Sequence, residues 1–118
     1  MAWKEIKKEN ELSEILDLFE GGAKLIGLSY TACNESSEVN DVREAIFNFV
    51  GTKRFRLKFS QIDCVHVAPI TTGNICVTDI AIGRMGNVFF WADDVYFDIT
   101  SPDTSVTYAI SRALYLDT

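Results

Sequence analysis

Apolar residues along the chain first recur at a helical interval. Leu12, Ile15, Leu16 and Phe19 follow the i, i+3, i+4, i+7 spacing that draws one apolar stripe down a helix, with Asn10 placed to cap its start and Gly21-Gly22 to end it. Beyond the glycines the interval shortens to two. In "KLIGLSYTA" Ile26, Leu28 and Tyr30 alternate with Gly27 and Ser29, the pattern of a strand with one buried face. "CNESSEVN", residues 33–40, is polar and reads as a loop. "DVREAIFNFVG" satisfies both periods: Val42, Ala45, Ile46 and Phe49 suit a helix opened by an Asp41/Glu44 capping box, and Ala45, Phe47 and Phe49 suit a strand. The strand is favoured, because "GTKR" then turns it into "FRLKF" as a hairpin with phenylalanines on both sides.

From residue 54 onward the pattern is β throughout. "FRLKFSQIDCVHV" reads as one long strand, or two joined by a bulge, stopped by Ala68-Pro69. "NICVTDIAI" follows, "GRMGN" turns it into "VFFWAD", and "VYFDIT" and "SVTYAISRALYL", separated by "SPD", complete the set. The order predicts an α+β domain spanning residues 1–118, with one N-terminal helix packed on an antiparallel sheet of six or seven strands, as a sandwich or an open barrel.

Composition narrows the function classes. The 118 residues are 47% hydrophobic and include eight phenylalanines, which is enough for one core and too little chain for two. No uncharged stretch reaches the roughly 20 residues of a membrane span, and charges break every apolar run in "MAWKEIKKENELSEILDLFEGG", so no signal-peptide core is expected. These features predict a soluble, cytoplasmic protein with no membrane partner. The three cysteines, Cys33, Cys64 and Cys76, are odd in number and lack C-x-x-C spacing, which points to reduced thiols and away from a disulfide framework or structural zinc. The net charge of −6 is uneven: residues 1–60 carry nine Lys/Arg against ten Asp/Glu, residues 61–118 two against seven. An acidic second half disfavours nucleic acid. The one basic run, "KRFRLK", alternates with Phe55 and Leu57 as the solvated face of a strand does.

Conventional catalytic signatures are absent, and no cofactor is expected. "QIDCVHVAPI" holds the single histidine, but strand geometry puts Cys64 and His66 on one face and Asp63 on the other, so the written triad does not converge. A shared metal ion would bridge Cys64 and His66 only with a further ligand, for which Cys76 is the candidate if residues 62–67 and 74–80 pair as a hairpin. A half-buried structural pair is the simpler reading. Asp93 and Asp94, adjacent and therefore on opposite faces of a regular strand, suit a strand end or turn better than a paired-carboxylate mechanism. In "VFFWADDVYF" Phe89 and Trp91 share one face and Val88 and Phe90 the other. Either both faces are covered, one by the helix and one by a loop, or the stretch is an exposed patch rimmed by Asp93, Asp94 and Asp98. Cover on both faces is favoured.

The run of "RLKFSQIDCVHVAP", "NICVTDIAIG", "NVFFWADD" and "TYAISRALYL" resembles, over roughly residues 20–116, a set of small β-rich bacterial domains, some of them immunity proteins encoded beside toxins. Leu57 and Phe59 match that pattern's first strand, Asp79 its Ile-x-Asp strand, and Trp91 with Asp93 its hairpin. Many members carry His-Asp-Ala after the helix, where this chain reads Gly21-Gly22-Ala23, so any activity that depends on that pair is expected to be missing. The resemblance implies a non-enzymatic acidic module that binds a basic protein such as a nuclease toxin, through Asp93, Asp94 and Asp98, with Trp91 and Phe89 as anchors if exposed. The alternatives are a small-ligand or metal domain using Cys64 and His66, and a homodimer joined through strand edges.

Overall fold

The structure is a computed structural model that describes residues 3–31, 43–68, 76–77, 79–103 and 105–118. In chain order its elements are β1 (Lys4–Ile6), a 3₁₀ turn (Glu9–Glu11), α1 (Leu12–Phe19), β2 (Ala23–Thr31), β3 (Glu44–Val50), β4 (Arg54–His66), β5 (Cys76–Val77), β6 (Ala81–Met85), β7 (Val88–Ala92) and β8 (Tyr108–Asp117). The sheet runs β5-β2-β3-β4-β8-β7-β6, every pair antiparallel, with β1 added to β8. This is the expected α+β arrangement, one helix on an antiparallel sheet.

The helix begins differently from expectation. The 3₁₀ turn winds the chain before α1, so Asn10 lies inside the turn and offers its carbonyl to the Ser13 hydroxyl at 2.8 Å. The capping duty falls to Glu11, whose carboxylate accepts the backbone N–H groups of Lys7 and Lys8 at 3.0 Å each. Gly21 and Gly22 end the helix as expected, with φ of 84° and 93° that a side chain would strain. Leu12, Ile15 and Phe19 are buried, whereas Leu16, the fourth member of the stripe, is exposed.

The long strand β4 has the expected bulge. Phe55, Leu57 and Phe59 face the core while Arg54, Arg56 and Lys58 face outward. At Gln61, with φ of 55°, and at the register shift between Ile62 and Cys64, the strand changes phase and Ile62 and Val65 take over the inward positions. Three other expectations change. "NICVTDIAI" is two strands, β5 beside β2 and β6 beside β7, at opposite ends of the sheet. The hairpin between β6 and β7 closes on Gly86-Asn87 alone, Gly86 holding φ of 62°, and Gly83 leaves room for the Phe90 ring laid over it. "VYFDIT" forms no strand: Asp94 and Asp98 hold turns there through their side chains. The short β1 has too few residues to show a period. The loop at residues 33–40, Asp41 and Pro69 lie outside the described residues.

Only three residues separate Val77 from Ala81, so the two ends of the sheet path lie within about 14 Å of each other. The sheet therefore curls, in the manner of an open barrel, with α1 inside the curl. Phe19 is the contact that fills it: its ring centroid is 4.9 Å from Phe49, 5.1 Å from Phe55 and 5.9 Å from Trp91, joining the β3–β4 and β7 sides. A second, smaller cluster lies on the other face of β7 and β8. Here Ala92, Tyr108 and Ile110 pack with Val88 and Phe90 under Phe97, Ile99 and Val106 of the 93–107 loop. Both faces of β7 are thus covered, one by the helix and one by a loop.

Trp91 is fully buried, and its Nε1 has no hydrogen-bond partner among the described residues. Its contribution is accordingly volume and ring contacts. Trp91→Ala is expected to cost about 3–5 kcal/mol, and Trp91→Phe no more than about 2 kcal/mol because the lost N–H satisfied nothing. Urea unfolding of the two variants measures the difference, and equal losses would contradict this account.

Candidate protein-binding surface

Cys64 and His66 face outward from β4 opposite Ile110 and Tyr108 of β8. The Cys64 thiol lies 3.6 Å from the Tyr108 hydroxyl. His66 stacks on the Tyr108 ring at 5.5 Å, its Nδ1 3.1 Å from the Val106 carbonyl. The contact with Cys64, and then burial, raise the Tyr108 hydroxyl above its ordinary value. Tyr108 in turn packs against Phe97 at 5.1 Å, so the Cys/His pair is built into the support of the 93–107 loop. The hairpin that would bring Cys76 to this pair does not form: β5 pairs with β2, Cys76 opposite Lys24, while β4 is flanked by β3 and β8. No group of three or more His, Cys, Asp or Glu side chains among the described residues has metal-binding geometry.

Of the expected anchors, Trp91 is 0% and Phe89 5% exposed. Both belong to the core under α1, so the condition on which they would touch a partner is not met. β7 points them inward because Trp91 and Phe89 pair with the buried Ala109 and Ser111 of β8.

The aspartates are arranged differently. β7 ends at Ala92, and the Asp93 N–H donates to the Thr107 carbonyl at 2.9 Å, closing the root of the loop. Asp94 Oδ1 accepts the Tyr96 N–H at 3.0 Å. Asp98 is exposed, but its Oδ1 accepts both the N–H and the hydroxyl of Thr100, which hold it below the usual carboxylate range. Asp98 is thus a turn-former first. Burial, then Asp94, then Asp79, push Asp93 up to about 6.

The Asp79 contribution identifies a neighbour distant in sequence. The short link between β5 and β6 carries Asp79 to the C-terminal end of α1. There Leu16, Asp17, Phe19, Glu20, Asp79, Ile80 and Val95 line a shallow hollow of ≈ 280 Å³. Beside it Tyr96 is 88% exposed, and Val95 and Leu16 are about half exposed. The surface therefore combines five carboxylates, Asp17, Glu20, Asp79, Asp93 and Asp94, with three exposed apolar side chains. No carboxylate of the five forms an ion pair among the described residues. The two arginines of the second half are engaged elsewhere. Arg112 lies 3.8 Å from Asp63, and Arg84 donates to the Lys7 and Gly86 carbonyls and sits over Phe89.

Two cations of the basic run, Arg56 and Lys58, have partners within the chain. Arg56 donates to Asp117 Oδ2 through Nε at 3.1 Å and Nη2 at 2.6 Å. Trp3 lies under both Arg56 and Lys58, and Tyr115 under Lys58 as well. These contacts fit the solvated strand face read from "KRFRLK".

Asp17, Glu20, Leu16, Val95 and Tyr96 escaped sequence reasoning. Leu16 was hidden in a regular apolar stripe, and Val95 and Tyr96 read as the start of a strand. Asp17 and Glu20 looked like the ordinary polar face of a helix.

The raised Asp93 gives the surface a pH signature. Its folded value near 6 lies above its ordinary 3.8, so the folded chain holds this proton more tightly than the unfolded one. The penalty for ionising it is absent below about pH 4, grows as pH rises toward 6, and is complete above that. Asp93→Asn is expected to stabilise the domain at pH 7.5 by roughly 1 kcal/mol, solvent screening included, and to change nothing at about pH 3.5. Chemical denaturation at the two pH values checks this; an equal effect at both would refute it.

No protein-family model, curated protein or solved structure matches this chain.

Proposed function

We propose that this chain is a non-enzymatic acidic binding module of the cytoplasm that docks a basic protein, its most specific form being an immunity protein that occludes a toxin domain such as a nuclease. The observation that carries the proposal is the set of five carboxylates without a cationic partner among the described residues, gathered around exposed Leu16, Val95 and Tyr96. Burial first, and then the neighbouring Asp94 and Asp79, push Asp93 upward, and a cationic partner relieves the like-charge share of that shift. The apolar residues offer the desolvated contact that charge alone does not supply. The resemblance to small acidic bacterial domains points the same way. Asp93 and Asp94 remain the central charged residues of the proposal, Asp17, Glu20 and Asp79 join them, and Tyr96, Val95 and Leu16 replace Trp91 and Phe89 as anchors.

Contacts of Arg56 and Lys58 with Asp117, Trp3 and Tyr115 support reading the basic face as a solvated strand face rather than a nucleic-acid platform. In the Cys64/His66 pair, the Cys64 thiol and the His66 Nδ1 are engaged by Tyr108 and Val106.

The test pairs the protein with basic domains encoded beside its gene. The double variant Asp93→Lys, Asp94→Lys is expected to slow association by at least about ten-fold at low salt and by much less at high salt, with an unchanged circular dichroism spectrum. Tyr96→Ala is expected to speed dissociation instead. Association at low salt that ignores the two charge reversals would defeat the proposal.

A further inference from the structure

α1 ends without a counter-charge of its own. Its last turn holds no basic residue, and the chain places Asp17 and Glu20 there, where the carbonyl end of a helix favours a cation. Every lysine and arginine of the chain falls within the described residues, and no ion pair among those residues involves Asp17, Glu20 or Asp79. No lysine or arginine of the chain therefore supplies the cation that this end of the helix favours.

Shape and lining narrow the kind of cation. The hollow at this helix end holds ≈ 280 Å³, below the roughly 300–1,000 Å³ of sites for drug-sized ligands, and so suits a single side chain. Leu16, Ile80 and Val95 line it together with Asp17, Glu20 and Asp79, so an occupant meets apolar wall and carboxylate at once. A bare metal ion gains nothing from the apolar wall, and no group of three or more His, Cys, Asp or Glu side chains among the described residues could hold one. Lysine and arginine carry an apolar stem under a cationic head, the same combination as the lining. The carboxylates come from two elements, the helix and the link between β5 and β6. Arginine answers both better than lysine does, because its guanidinium spreads five donors in a plane and is less strongly hydrated than an ammonium. We infer that the hollow is the socket for one arginine side chain of the basic partner, its stem against Leu16, Ile80 and Val95 and its guanidinium between the helix carboxylates and Asp79. The inference rests on the proposed function and names the contact at its centre.

NMR titration of the isotope-labelled chain at neutral pH and low salt tests it, with N-acetyl-arginine N-methylamide as the probe and the citrulline analogue as its neutral isostere. The arginine probe is expected to shift the amide signals of Leu16, Asp17, Glu20, Asp79 and Ile80 saturably, with a Kd of about 1–10 mM, and the citrulline probe to saturate none of them. Glu20→Gln with Asp79→Asn, both at exposed positions, is expected to weaken the arginine probe at least about five-fold. Glu5→Gln with Glu9→Gln removes the same net charge from β1 and the 3₁₀ turn and is expected to leave the Kd within about two-fold. Shifts spread evenly over the carboxylates of the whole chain overturn the inference, as does equal saturation by the citrulline or the lysine analogue. The probe stands in for the partner, so the two failures are distinct. A basic protein that binds while the arginine probe does not saturate defeats the socket alone, and a saturating probe with no basic protein bound defeats the proposed function alone.

Discussion

The structure depends on one aromatic contact, the Phe19 ring set among Phe49, Phe55 and Trp91. Trp91 of β7 meets Phe47 and Phe49 of β3 directly, at 5.6 and 5.7 Å, and the Phe19 ring from the end of α1 packs over that junction and ties Phe55 of β4 into the same core. The curl that results brings β5 and β6 close enough for a three-residue link, and that link delivers Asp79 to the helix end where Asp17 and Glu20 already lie. The acidic surface is thus a by-product of how the core closes. Its carboxylates come from a helix, a link and a loop root that are far apart in sequence, held in place by buried rings directly beneath them.

What was legible in the sequence follows from how local each feature is. The helix, the strand over 44–50, the bulge in β4 and the double cover of β7 rest on periods of two or 3.6 within a few residues, and patterning reports such features directly. The phase change of β4 was readable because Phe55, Leu57 and Phe59 keep one parity and Ile62 the other. Sheet order was not readable: nothing in "NICVTDIAI" says that its first half pairs with β2 and its second with β7, because pairing partners are chosen by the whole curl. The site suffered for the same reason. Asp93 and Asp94 were visible as charges beside an apolar run, but the rings next to them turned inward, since a strand covered on both faces spends its large side chains on packing. The exposed apolar residues come from places where pattern argues for burial, Leu16 in a helical stripe and Val95-Tyr96 after a strand.

Charge is sorted as well as accumulated. On the outer face of β4, Arg56 is paired with Asp117 and lies over Trp3, and Lys58 lies over the rings of Trp3 and Tyr115. Asp98 and Asp103 spend one oxygen each on their turns, and the Thr100 hydroxyl and then N–H for Asp98, and first the Ser105 N–H for Asp103, hold both below the usual carboxylate range. Asp17, Glu20, Asp79, Asp93 and Asp94, none of them ion-paired among the described residues, lie around the C-terminal end of α1. The shift of Asp93 toward neutrality reflects its burial first and its acidic neighbours Asp94 and Asp79 after it.

The placement of β8 bears on how the chain reaches this fold. It follows all the other strands in sequence, yet it lies between β4 and β7 and also takes β1 on its side. Until it emerges from the ribosome, β2–β4 and the β6–β7 hairpin are two fragments with no shared strand, and the long edge of β4, with Phe55, Leu57 and Phe59, is open to any passing β segment. The nascent chain therefore carries a risk of mispairing until the stretch 108–117 is made, and relief comes from that stretch inserting as a wedge rather than adding as an outer layer.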